Sequence, residues 1–202
     1  MQCFLYELNF NFQKKNYLFK GFFSLFNTES KILIAIGNPY DDGTNTEIID
    51  VGINSNYSCP KLMPFPVPMR VATGGLVNGQ PFLCGGGYSK NPGYGYFKDC
   101  YKLENSGSWT KDDTTVLKEN RGYVFGSVVL ENNLIISGGW SGSNHLYTIE
   151  MLSPHTVSET LSVDLPYRIS SHCQVSISSD QFMVIGGTDR SIKKTETYVI
   201  NV

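Results

Sequence analysis

The chain of 202 residues has few of the residues that build metal or nucleophile sites. It holds three histidines, His145, His155 and His172, and no His-x-x-x-His or Cys-x-x-Cys pair. A zinc site built on closely spaced ligand pairs is therefore not expected. Charge of one sign is also missing. Lys and Arg number 16 against 18 Asp and Glu, for a net −2. Without a basic stripe, neither nucleic acid nor an acidic membrane is an expected partner. No apolar run approaches the roughly 20 residues of a membrane helix. Helical periodicity is absent as well: residues 111–120, the strongest polar stretch, contain Thr114-Thr115-Val116, whose β-branching favours a strand. Gly85-Gly86-Gly87 precedes neither a helix nor a Lys-Ser/Thr pair, which excludes a phosphate loop.

Aromatics and glycine are abundant: 12 Tyr, 12 Phe and 20 Gly, with 41 % apolar residues. This suits a β-rich chain with tight turns and a sizeable core. The glycines carry a pattern. Phe82-Leu83-Cys84, Leu134-Ile135-Ile136-Ser137 and Phe182-Met183-Val184-Ile185 each run into a Gly-Gly doublet. The doublets begin at positions 85, 138 and 186, so they stand 53 and 48 apart. A degraded copy, residues 32–36 into Gly37-Asn38, lies 48 positions before the first. A period near 50 marks a propeller-like repeat. Glycine suits the end of each run because it leaves a strand at positive φ and lets another backbone approach.

The rest of the repeat aligns on the doublets. Arg70, Arg121 and Arg168 each open a segment, followed by strand-like runs 71–77, 123–130 and 171–177. Polar turns come next, including Asn78-Gly79, a strong hairpin signal. A third strand carries Ile49, Tyr101, Met151 or Tyr198, and Trp109 marks the expected start of a fourth. Prolines 60, 64, 66 and 68 mark an extended crossing between repeats. The array divides into 31–69, 70–120, 121–167 and 168–202. Residues 1–30 are phenylalanine-rich, lack the repeat pattern and form an atypical N-terminal segment. Within them 17–26 reads as a first strand or an ill-defined leader.

An apolar strand ending in Gly-Gly, then a spaced Tyr, then a spaced Trp resembles the kelch repeat. The stretch around Cys84-Gly85-Gly86, Asp99-Cys100-Tyr101 and Trp109 is most similar to the cysteine-bearing kelch proteins of invertebrates. The resemblance spans about 31–202 and implies an all-β, kelch-type β-propeller of four-stranded antiparallel blades. Closure needs about four to eight blades. About three and a half to four are legible, so an open arc is expected: a partial propeller, able to associate through open blade edges.

Variable loops on a rigid scaffold usually carry binding. The loops between second and third strands, 39–44, 87–96, 140–143 and 188–194, share a face with the crossings. They bring Tyr88, Tyr94, Trp140 and Arg190 as candidate binding residues, with packing between blades as the alternative role. Arg121 and Arg168 join them, although contacts to backbone carbonyls where blades meet explain the arginines better. In some kelch adaptors arginines near this place hold acidic peptides, and the resemblance implies that second role. The expected function is a non-catalytic module binding a protein or peptide, with no cofactor. The alternative implied by the resemblance is a propeller enzyme of the galactose-oxidase-like or sugar-isomerising type. No paired acid and base supports it, although His145 in a third strand and His172 in a first strand are one blade apart.

The repeat alignment also pairs the residue before each doublet with the one before the third-strand marker: Ile36 with Ile48, Cys84 with Cys100, Ser137 with Glu150, Ile185 with Thr197. Cys84 and Cys100 are thus expected as cross-strand neighbours, either disulfide-bonded or as two buried thiols. Cys3, Cys59 and Cys173 receive no partner. An oxidised pair implies an extracellular location.

Overall fold

The computed structural model describes residues 22–27, 31–37, 46–50, 62–90, 93–124 and 126–202, with side chains described for 62–88, 95–124 and 126–202. All regular structure among them is β. The first sheet holds β1 (Phe22–Asn27), β2 (Lys31–Gly37) and β3 (Thr46–Asp50). The second holds β4 (Thr73–Val77), β5 (Gln80–Cys84), β8 (Asp99–Leu103) and β9 (Trp109–Val116), with a hairpin of β6 (Gly87–Lys90) and β7 (Gly93–Tyr96) inserted. The third holds β10 (Ser127–Leu130), β11 (Asn133–Ser137), β12 (Ile149–Leu152) and β13 (Glu159–Thr160). The fourth holds β14 (Cys173–Ser176), β15 (Gln181–Ile185) and β18 (Thr197–Asn201), with the hairpin of β16 (Thr188–Asp189) and β17 (Ile192–Lys193) inserted. Each sheet runs antiparallel in chain order apart from its insert. The first strands of neighbouring sheets lie side by side: β4 adjoins β1 and β10, and β10 adjoins β14.

Strand alternation sends successive side chains to opposite faces. In β11, Leu134 and Ile136 join Val77, Phe82 and Leu117 against the second sheet, while Ile135 joins Phe182, Val184 and Ile200 against the fourth. The third sheet is thus covered on both faces. Tyr101 and Trp109 pack with Phe65, at ring separations of 4.7 and 5.3 Å. The repeat's aromatic markers therefore seal the second sheet against the proline-marked crossing.

The doublets do what their glycines suggest. All six residues have positive φ. The Gly86 amide donates to the Arg121 carbonyl at 2.6 Å, and the Gly139 amide donates to the Ile169 carbonyl at 2.7 Å. A Cβ at Gly85 would collide with that same Arg121 carbonyl. The first two doublets are thus the points where one sheet receives the backbone leading to the next, while the Gly186 amide donates to the Glu196 carbonyl within its own repeat.

The structure revises the repeat register. Arg70 pairs with Gly87, Gly122 with Trp140 and Ser170 with Thr188. Val71, Tyr123 and Ser171 share a left-handed φ of 54–55°. Hence Met69, Arg121 and Ile169 are equivalent, and the three arginines are not: Arg70 stands one place late and Arg168 one place early. Two of the four cross-strand pairs also shift. Ile48 faces Leu33, with Phe23 opposite Ile36, and Glu150 faces Ile136. Connections of different length between second and third strands move the register, and a one-residue slip turns a side chain to the other face. Ile185 does face Thr197, and Cys84 faces Cys100.

Two expected loops are hairpins. In 87–96 the Gly/Tyr alternation lets Gly95 stand opposite Tyr88. A Cβ there would run into the Tyr88 ring. His145 lies outside the third strand, bridged to Trp140 in the preceding loop, and His172 precedes β14. The expectations for 1–21, 39–44, Cys3 and Cys59 fall outside the described residues.

Candidate functional site

The inserts and crossings of the second, third and fourth sheets meet on one face. Tyr88, 37 % exposed, stacks on Phe97 at 5.4 Å. Tyr94 lies in β7 opposite Ser89, and its side chain is outside the described set. The Tyr96 ring reaches across to the third sheet, where a side chain at Gly122 or Gly142 would strike it, and it tilts against Tyr123 at 6.2 Å. Gly122 and Gly142 thus make room for an aromatic side chain supplied by the neighbouring repeat.

Trp140 is half-buried. Its amide and carbonyl pair with those of Gly122 at 2.7 and 2.9 Å, and its ring meets His145 edge-on at 4.8 Å. His145 gathers the fourth repeat onto this contact. The Arg168 guanidinium donates to the His145 carbonyl at 2.9 Å and lies over the Tyr147 ring at 4.8 Å. The Arg190 amide donates to His145 Nε2 at 3.0 Å. Lys194 sits over the Tyr167 ring at 4.4 Å. Trp140, Arg168 and Arg190 are brought together, while Tyr88 lies on the neighbouring repeat. Reading along the chain assigns no binding role to His145, Tyr147 or Tyr167. The signal for His145 lay in its distance from Trp140, short enough for one loop to fold back on itself.

Arg121 is not on this face. It is 1 % exposed and donates four hydrogen bonds: Nε to Glu150 at 2.8 Å, Nη1 to the Gly138 and Thr148 carbonyls, Nη2 to Thr148 Oγ1 at 2.7 Å. Glu150, equally buried, also accepts from the Lys118 amide at 2.8 Å and from Ser158 Oγ. Arg121 is therefore not a ligand contact, because it is buried and bonds the second-to-third crossing to the third sheet. Buried charges need such full pairing.

Below the face, Ser137 Oγ lies 3.1 Å from His172 Nε2. The spacing suits a nucleophile and its base. Both are buried, however. Burial pushes the His172 imidazole down to about 4, with a Gln174 hydrogen bond opposing and Arg121 reinforcing. It remains a neutral core side chain at physiological pH. Among the described residues no three His, Cys, Asp or Glu side chains are grouped to hold a metal ion.

Cys84 and Cys100, buried under the first doublet, are joined by a disulfide with Cα atoms 4.1 Å apart. Cys173, expected without a partner, is also disulfide-bonded.

Successive antiparallel sheets with adjacent first strands, joined at glycine doublets, define a β-propeller. A solved propeller-like structure, that of YjhT, superposes with a TM-score of 0.73 at 14 % sequence identity, over 90 % of this chain and 62 % of that one. The chain thus spans a little under two thirds of that protein's length, and the likeness shows the fold. Among curated proteins, spermatocyte protein spe-26 of Caenorhabditis elegans is 31 % identical over 71 residues, which is 35 % of this chain and 12 % of that protein. No family model matches the sequence.

Proposed function

We propose that the chain is part of a kelch-type propeller acting as a non-catalytic binding module, with a protein or peptide held against the insert face. One observation carries this reading: three neighbouring repeats deliver Tyr88, Trp140, Arg168 and Arg190 to one face. Aromatic and arginine side chains are the commonest hot spots of protein interfaces. The scaffold below repeats, while the inserts differ in length and chemistry.

Selection of a random dodecapeptide display library on the full chain tests it. Enriched peptides are expected to lose about 30-fold in affinity on Trp140→Ala with Arg190→Ala, the effect of one interface hot spot. Peptides that bind wild type and variant equally would overturn the assignment of this face. Stoichiometric copper in the purified full-length protein would favour the oxidase reading instead. The same proposal places the chain outside the cytosol, where a disulfide such as Cys84–Cys100 persists. In material from its native source both cysteines should resist alkylation until reduced. Free alkylation of both without reductant would refute that location.

A further inference from the structure

The insert face is tied together at one imidazole. His145 Nε2 accepts the amide hydrogen of Arg190, a residue 45 positions away. This bond assigns the ring hydrogen to Nδ1, which is buried and has no hydrogen-bond partner. Arg190 has φ +54°. That left-handed conformation is uncommon outside glycine, and here it opens the two-residue turn between β16 and β17. The His145 carbonyl meanwhile holds Arg168, and its ring meets the Trp140 ring.

We propose that His145 is a proton-operated latch between the third and fourth repeats: the neutral ring holds the Asp189–Arg190 turn beside Trp140, and the imidazolium releases it. The chemistry is local. A proton added at Nε2 turns the acceptor of the Arg190 amide into a donor, so two N–H groups point at each other. The Nδ1 hydrogen gains no partner in exchange. The charged groups around the ring are Asp189 and Arg190 on the turn and Arg168 on the crossing. Burial holds the imidazole below its usual range, Asp189 draws it back up, and Arg190 lowers it further. The latch is therefore closed at neutral pH and opens only on acidification below the ordinary histidine range. Its consequence for a bound peptide rests on the binding-module reading; the latch itself does not.

Two-dimensional NMR of the ¹⁵N-labelled full chain tests it, following the His145 ring nitrogens and the Arg190 amide from pH 7.5 to 5. The Arg190 amide should lose exchange protection with the midpoint of the His145 titration, while the Ile136 amide in the core stays protected. His145→Gln, whose carbonyl oxygen accepts without titrating, should hold the Arg190 amide protected across the range. His145→Phe should leave it unprotected at every pH. An Arg190 amide that stays protected through the His145 midpoint would overturn the latch. A selected peptide should lose at least tenfold in affinity at the same midpoint, and this loss should vanish in His145→Gln. If no peptide is selected, the binding reading fails while the amide measurements still decide the latch.

Discussion

At Arg121 a guanidinium stands where the equivalent positions hold Met69 and Ile169, all three buried. The third repeat thus replaces an apolar plug with an ion pair. Removing one partner of a buried pair leaves an uncompensated charge and costs about 3–5 kcal/mol. Arg121→Met should lower stability by that amount in urea denaturation. Adding Glu150→Gln, which removes the charge but keeps an acceptor for the Lys118 amide, should recover part of the loss. Equal destabilisation of single and double variants would show that packing, not charge, sets the cost. His172 gives a second residue-scale expectation. Its folded value of about 4 lies below the ordinary 6.5, so the neutral ring's contribution is complete above about pH 6.5 and is lost as pH falls through about 4. The shift corresponds to at most about 3 kcal/mol. The thermal midpoint should fall across this window, and less steeply in His172→Met. Asp112 acts lower still: burial raises its carboxyl, but hydrogen bonds from Thr114 and Thr115 outweigh that and hold it below the usual range. An unchanged slope in His172→Met would remove the histidine from the account.

Within a single element, the second sheet contains a covalent tie. Cys84 ends β5 and Cys100 lies in β8, 16 residues on, with the β6–β7 hairpin between them. Closing a loop of this size restricts the unfolded chain by about 3 kcal/mol. Replacing both cysteines with alanine should lower the denaturation free energy by about that much and leave the sheet formed, because Leu83 and Phe82 still fill the faces beside the tie. A loss below about 1 kcal/mol would show that the hairpin and its neighbours already restrict this loop. The sequence exposed the cysteine pair because the repeat alignment held in this sheet. It failed in the third sheet, where Glu150 slipped by one position, because the bridge between Trp140 and His145 fixes the register and leaves no periodic trace.

Across the whole molecule the sheets are linked by more than apolar faces. The Tyr123 amide donates to the Val71 carbonyl at 3.2 Å, and the Ser171 amide to the Tyr123 carbonyl at 2.8 Å. These bonds run from repeat to repeat through the residues that share a left-handed φ. Sheets joined by shared cores and backbone bonds should unfold together. The two tryptophans, Trp109 in the second sheet and Trp140 beside the third, allow a direct measurement. Trp109→Phe and Trp140→Phe variants, each with one emitter left, should show coincident urea transitions once corrected for their own stability changes. Separate transitions would mean that the repeats melt independently.

The sequence by itself determined the all-β class, the punctuation by glycine doublets and the positions of most strands. These rest on local physics: a period of two along each strand, and glycine's access to positive φ. It also located Tyr88, Trp140 and Arg190 on inserts. The tertiary structure decided which cations reach solvent. Arg121 and Arg168 look alike along the chain, yet one is sealed against Glu150 and the other lies over Tyr147. That difference comes from one place of register at the doublet, where the Gly86 and Gly139 amides choose the carbonyls of Arg121 and Ile169. A backbone hydrogen bond between distant segments reads no side-chain identity, so no pattern along the sequence announces it. For His145 the spacing from Trp140 suggests a loop folding back on itself, but its bond to the Arg190 amide forms only where two repeats meet.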